Sequence, residues 1–201
     1  RWAARWAFDR AFRTAACSEN LRSRAVAAGL AYERSAVIPY GVDGAQFATA
    51  DAAAVATLRA RLGLPQNAPV IGALGRLVHK KGFSHLVAAL PAVLRVLPNV
   101  RCVIGGSGDL QADLRAEADQ LGLGDHLLLP GAIDWQTTPA FYALCDVLAV
   151  PSVVDAHGNV DGLPNVLLEG MACGRAIVAS HVAGIPDVLR DDENGLLVPS
   201  A

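Results

Sequence analysis

Two carboxylates stand eight positions apart in the stretch Asp155-Ala-His-Gly-Asn-Val-Asp161-Gly162-Leu163-Pro164-Asn165-Val166-Leu167-Leu168-Glu169. Pro164 suits the first position of a helix, where its missing N–H costs nothing. Asp161 then lies in the loop before that helix, and Glu169 lies about a turn and a half into it, roughly 8 Å along the axis. The free N–H groups of the first turn point into the space the two acids bracket, which suits phosphate oxygens. A carboxylate can accept two hydrogen bonds from a vicinal diol, so the pair can hold two sugar rings with phosphates between them. The competing reading has Asp161 as a helix cap and Glu169 as an ordinary surface residue. Against it, Val166, Leu167, Leu168, Met171 and Ala172 surround Glu169, and an unpaired carboxylate among them is costly.

A second cluster supplies the opposite charge. Gly75-Arg76-Leu77-Val78-His79-Lys80-Lys81-Gly82 follows an apolar run and opens onto a helical pattern. Its guanidinium fork and ammonium group can neutralise a diphosphate, helped by free backbone N–H groups; the alternative is a solvated basic turn. A third turn, Gly105-Gly106-Ser107-Gly108-Asp109, lets a ligand approach the backbone, although helix-entry turns also hold glycines for steric reasons alone. It is not a dinucleotide fingerprint, because Gln111 occupies the place of the third glycine. G-x-x-x-x-G-K-[ST] and H-E-x-x-H are absent, so P-loop NTPase and zinc-protease readings lose their main support, and His79, His85, His126, His157 and His181 form no metal-like cluster and read as structural, with His157 kept as a loop contact.

These turns need a frame that brings them together. Short apolar runs at 70–74, 101–104, 126–129, 147–150, 176–179 and 196–198 read as strands. Helical patterns at 83–97, 110–121, 138–144, 165–173 and 185–189 separate them. Strands apolar on both faces and alternating with helices predict a doubly wound, Rossmann-like parallel sheet with its ligand over the strands' carboxyl ends. Before it, Arg1, Arg5, Asp9 and Arg13 recur at helical spacing among Trp2, Trp6, Phe8 and Phe12. Ser18 caps a helix running to Gly29, residues 36–39 form a short apolar run, and 49–62 is an Ala-rich helix, which puts a domain boundary near residue 40.

Composition narrows the partners. The chain has 201 residues, 17 Lys and Arg against 19 Asp and Glu, and a net charge of -2. The charged fraction of 18% lies below the roughly 25% of an average globular protein, and the 53% hydrophobic content excludes disorder. No basic field is available for nucleic acid or an anionic membrane, so any phosphate is held by a few placed groups. Apolar stretches stop well short of the roughly 18 residues of a membrane span. Cys17, Cys102, Cys145 and Cys173 form no C-x-x-C pair and read as reduced core thiols of a cytoplasmic protein. With no initiator Met and no signal peptide, the chain reads as an excised piece.

Together these segments resemble one family. Gly75-Arg76-Leu77 with Lys81-Gly82, the glycines at 105–108, D-G-L-P-N-V-L-L-E-G-M-A-C-G from Asp161 to Gly174, Gly184-Ile-Pro-Asp187 and Asn194-Gly-Leu-Leu-Val-Pro199 look like the donor-binding domain of retaining, nucleotide-sugar-dependent glycosyltransferases of family 4, with the GT-B fold. The match runs from about residue 14 to the end, and Ala16-Cys-Ser18 with residues 37–43 resembles the crossover from the acceptor domain. The resemblance implies that residues 1–40 are a remnant of the acceptor domain and crossover, and that 41–201 are the donor domain without its closing C-terminal helices.

For the site, the resemblance implies that Arg76 and Lys81 bind the donor diphosphate, with Gly75, Gly105 and Gly108 lining the site. Glu169 would bind the ribose hydroxyls, and Asp161 with Gly162, Leu163, Pro164 and Asn165 the transferred sugar. Asp161 departs from the family's usual Glu by one methylene. The donor would be a UDP- or GDP-linked hexose, no metal or other cofactor would be needed, and the acceptor a glycan or lipid-linked group met through the missing N-terminal domain. Transfer would be front-face, with the leaving phosphate assisting deprotonation of the acceptor. The protein is expected in the cytoplasm or at the inner face of the membrane, with this piece alone inactive. The alternatives are a nucleotide-sugar-binding module without catalysis, or a GT-B-related epimerase or phosphorylase.

Overall fold

In the computed structural model the described residues are 2–48 and 50–200; Arg1 and Thr49, both expected in helices, lie outside them. Six short apolar runs pair into one all-parallel sheet: β3 (Val70–Leu74), β4 (Arg101–Gly105), β5 (Leu127–Gly131), β6 (Val147–Val150), β7 (Ala176–Ser180) and β8 (Leu196–Val198), in the order β5-β4-β3-β6-β7-β8. The order reverses between β3 and β6, which are paired through Ile71 with Val147 and Gly72 with Leu148. That reversal opens a crevice beyond their carboxyl ends.

The intervening helices are α5 (Phe83–Val96), α6 (Gln111–Gln120), α7 (Thr138–Leu144) and α8 (Asn165–Ala172). Successive residues of β4 serve opposite faces, as the period of a strand requires. Cys102 and Ile104 join Phe83, Val87, Leu90 and Leu114 in one buried cluster. Val103 joins Phe141, Tyr142, Leu148 and Leu167 in the other. Three of the four cysteines are buried and all are free, and burial pushes the Cys102 thiol up to about 12.

Ahead of this sheet, α1 (Trp2–Arg10) leads into β1 (Thr14–Ala16), α2 (Glu19–Ala27) and β2 (Ser35–Val37), and β1 pairs in parallel with β2 in a sheet of their own. Ser18 caps α2 as expected, its hydroxyl accepting from the Leu21 N–H at 3.3 Å. The Ala-rich stretch splits into α3 (Gly44–Ala48) and α4 (Ala52–Arg61), because Asp51 caps a new helix by accepting from Ala53 N–H. Two other elements differ from the sequence reading, and one strand is new. The third strand of the pattern extends through Pro130, the segment after Gly184 forms only a 3-10 turn (Ile185–Asp187), and β1 has too few residues to show periodicity.

Candidate functional site

The cationic turn is held by its neighbours' main chains. After β3, Gly75 N–H donates to the Gly105 carbonyl at 3.0 Å, and Leu77 N–H to that of Ser107 at 2.9 Å. A Cβ on Gly108 would lie 2.5 Å from the Leu77 oxygen, so the glycine turn after β4 is tight because two turns stack here. The chain then forms a 3-10 turn over His79–Lys81 and closes at Gly82 with φ 67°, where a Cβ would overlap the Pro151 carbonyl oxygen. Val153 N–H donates to the Lys80 carbonyl at 3.0 Å. The turn is thereby fastened at Lys80 to the chain leaving β6, the same chain that leads to Asp161.

Asp161 receives both of them. Lys80 Nζ lies 2.7 Å from Oδ1 and Lys81 Nζ 2.5 Å from Oδ2, with all three side chains largely buried. Burial alone would raise the carboxyl's pKa; hydrogen bonds from Lys80 and Lys81, then their charges, outweigh it and hold Asp161 below its ordinary value. Asp161 therefore does not cap α8. Pro164 is the N-cap, without a side-chain hydrogen bond, and the helix begins one residue later than the sequence suggests. Arg76 is exposed and its guanidinium has no hydrogen-bond or ion-pair partner among the described residues.

Glu169 has a different environment. Its Oε2 accepts a 2.5 Å hydrogen bond from the hydroxyl of Tyr142, a fully buried residue of α7. Phe47 and Phe141 set the phenol edge-on, each with a centroid 5.9 Å from it. Burial, then the bond to Glu169, raises the Tyr142 pKa, so the phenol is the donor and the carboxylate the acceptor. Glu169 and Asn165 line a pocket of about 190 Å³ closed by Asp43, Gln46, Phe47 and Trp135.

The turn from Gly162 to Asn165 links the two regions. A Cβ on Gly162 would overlap Leu21 and stand 2.8 Å from Cys17 Sγ, so glycine lets this turn lie against the α2 segment. Leu163 and Pro164 are buried and Asn165 is exposed. The fold thus gathers Arg76, Lys81, Asp161 and Glu169 on the loops and helix that follow the adjacent strands β3 and β6. Sequence reasoning missed Lys80, indistinguishable from Lys81 by type, and Tyr142, an aromatic in an apolar helix. It also missed Trp135 and Asp43, which folding brings into the lining of one pocket with Glu169. Among the described residues no three His, Cys, Asp or Glu side chains form a metal-holding group.

A doubly wound parallel sheet with cations and carboxylates on the loops at its switch point is an α/β domain of the GT-B type. The chain belongs to the glycosyl transferases group 1 family, whose model matches residues 55–201. It is 37% identical over 162 residues to the GDP-mannose-dependent alpha-(1-6)-phosphatidylinositol monomannoside mannosyltransferase of Mycolicibacterium smegmatis, covering 80% of this chain and 42% of that protein. It is 33% identical over 187 residues to the 2-deoxystreptamine glucosyltransferase of Streptomyces kanamyceticus, covering 92% of this chain and 46% of that one. The crystal structure of Anabaena Alr3699/HepE in complex with UDP and glucose superposes with a TM-score of 0.88 at 26% identity, covering 100% of this chain and 53% of the other. The chain spans about half the length, or less, of these relatives.

Proposed function

We propose that the chain is the donor-binding half of a retaining glycosyltransferase that moves a hexose from a UDP- or GDP-linked donor to a glycan or lipid-linked acceptor. One observation carries this reading: Lys81 and Arg76, the latter without a partner among the described residues, follow β3 at the switch point, and Asp161 and the phenol-bound Glu169 follow the adjacent strand β6. Arg76 and Lys81 take the diphosphate, Glu169 the ribose diol, and Asp161 with the turn from Gly162 to Asn165 the hexose. The cations take up the charge that develops on the leaving diphosphate, the task a metal ion performs elsewhere. The acceptor hydroxyl attacks the donor's anomeric carbon on the face from which the diphosphate leaves, and an oxygen of the leaving diphosphate takes the hydroxyl's proton.

Relatives that use GDP-mannose, and one crystallised with UDP and glucose, support a nucleotide-sugar donor. Among the described residues no helix is long and apolar enough to cross a membrane. We place the reaction in the cytoplasm, with peripheral contact to the membrane's inner face. Residues 1–40 belong, on this reading, to the acceptor half and crossover, and 41–201 to the donor half. Positioning an acceptor against the anomeric carbon is worth as much as about 7–11 kcal/mol of barrier, so the chain alone binds donor far better than it turns it over. The test is calorimetric titration of UDP, GDP and their hexose conjugates with and without chelator. Binding that appears only with Mg²⁺ or Mn²⁺ would overturn this site.

A further inference from the structure

A pocket of about 520 Å³ opens between α2 and the loop at 155–160, lined by Arg24, Arg76, His79, Lys80, Asp155 and Asn159 among others. Of the residues assigned to the donor, only Arg76 lines it; Glu169 and Asn165 line the smaller pocket beside Tyr142. Its charge is unbalanced. Asp155, the one acid in the lining, has both oxygens committed to its own loop: Oδ1 accepts from His157 N–H at 2.8 Å and Asn159 N–H at 2.9 Å, and Oδ2 from Asn159 Nδ2 at 3.0 Å. Asp161 is shared between Lys80 and Lys81, which leaves that trio with a net positive charge. Arg24 crosses to the loop, its Nη2 donating to the Gly158 carbonyl at 2.7 Å. The rest of its guanidinium makes no protein hydrogen bond among the described residues.

From this arrangement we infer a second anion subsite, which takes a phosphate monoester or carboxylate carried by the acceptor. Arg24 and Arg76 present forked donors that suit either group, His79 adds a ring N–H, and Lys80 a charge. The pocket shares Arg76 with the diphosphate site and adjoins Asp161 through Lys80, so an anion seated in it lies beside the groups assigned to the donor's diphosphate and hexose. The anion belongs to the acceptor only if the donor reading above holds; the pocket's preference for an anion does not depend on it.

The test uses glycerol 3-phosphate as probe and glycerol as the neutral control, titrated into the 201-residue chain first without nucleotide and then with saturating UDP or GDP. Glycerol 3-phosphate is expected to bind in both states and glycerol in neither. Arg24→Gln keeps a donor for the Gly158 carbonyl and loses the charge; it and His79→Ala should each weaken the probe by about tenfold, leaving nucleotide affinity unchanged. Raising the salt concentration should weaken the probe as well. Competitive displacement of the probe by nucleotide would overturn the inference, because the pocket would then belong to the donor's own diphosphate. So would equal binding by wild type and both variants. If no nucleotide binds the wild-type chain, the donor reading fails, while the nucleotide-free titration still decides for or against the pocket.

Discussion

Asp161 is held between two ammonium groups at the mouth of the crevice, whereas Glu169, eight residues on, accepts from one buried phenol wedged between two aromatic rings. The ammonium partners are cations that an incoming diphosphate can compete for. A neutral hydroxyl offers an anion much less, and it fixes the direction of the carboxylate. On the proposed reading the two acids therefore act differently: Asp161 would change partners when a donor arrives, and Glu169 is already oriented. The expected sequence is that the diphosphate draws Lys81 away, which frees an Asp161 oxygen for the hexose.

The largest effect should come from removing the cations. Arg76→Ala combined with Lys81→Ala deletes two charge-assisted contacts and should cost about 3–5 kcal/mol in nucleoside diphosphate affinity, with the free nucleoside nearly unaffected. Calorimetry on both ligands checks this; a nucleoside that weakens equally would make the turn structural. Next, Glu169→Gln should cost about 1.5–3 kcal/mol in nucleotide affinity with the fold intact, and the loss should shrink for a 2′-deoxyribonucleotide. Wild-type affinities that are equal for ribo- and deoxyribonucleotides would remove Glu169 from the ribose.

Asp161→Asn should act with the opposite sign on part of the ligand. Releasing two ammonium groups should strengthen binding of the nucleoside diphosphate by roughly 1 kcal/mol and reduce the extra affinity contributed by the hexose. The same variant tests the pH dependence. The folded-state pKa of Asp161 lies below its unfolded value of about 3.9, so ionised Asp161 stabilises the fold above that pH, and the contribution is lost as pH falls through the folded-state value. Thermal melts of wild type and Asp161→Asn should converge in acid; a gap that stays constant with pH would mean that the ion pairs contribute nothing. The smallest effect is expected for Tyr142→Phe, which should lower stability by about 1 kcal/mol and nucleotide affinity by less. An affinity loss as large as that of Glu169→Gln would make the phenol's aim of Glu169 the main determinant.

The sheet was legible because each strand is an apolar run bounded by turn residues and separated by a helical pattern, and local composition is enough to show that. Element ends were less so. The Ala-rich stretch gives no hint from apolar spacing that Asp51 restarts the helix, and Ile185-Pro-Asp187 is held as a 3-10 turn where Glu19 N–H meets Asp187 Oδ2 at 2.9 Å, a partner 168 residues away. In the site, Asp161, Glu169, Arg76 and Lys81 stood out by charge and spacing. Which groups hold them did not.

Residue types and their order determined the parallel α/β frame, the family, and the presence of carboxylates and cations on loops after strands. These follow from interactions between residues close along the chain. Only the tertiary structure decided that Lys80 joins Lys81 on Asp161, that Tyr142 of α7 fixes Glu169 of α8, and that Arg24 of α2 reaches the loop at Gly158. Those contacts close across 81, 27 and 134 residues, and what selects them is the burial and charge of whole elements packed together, which no window of sequence contains.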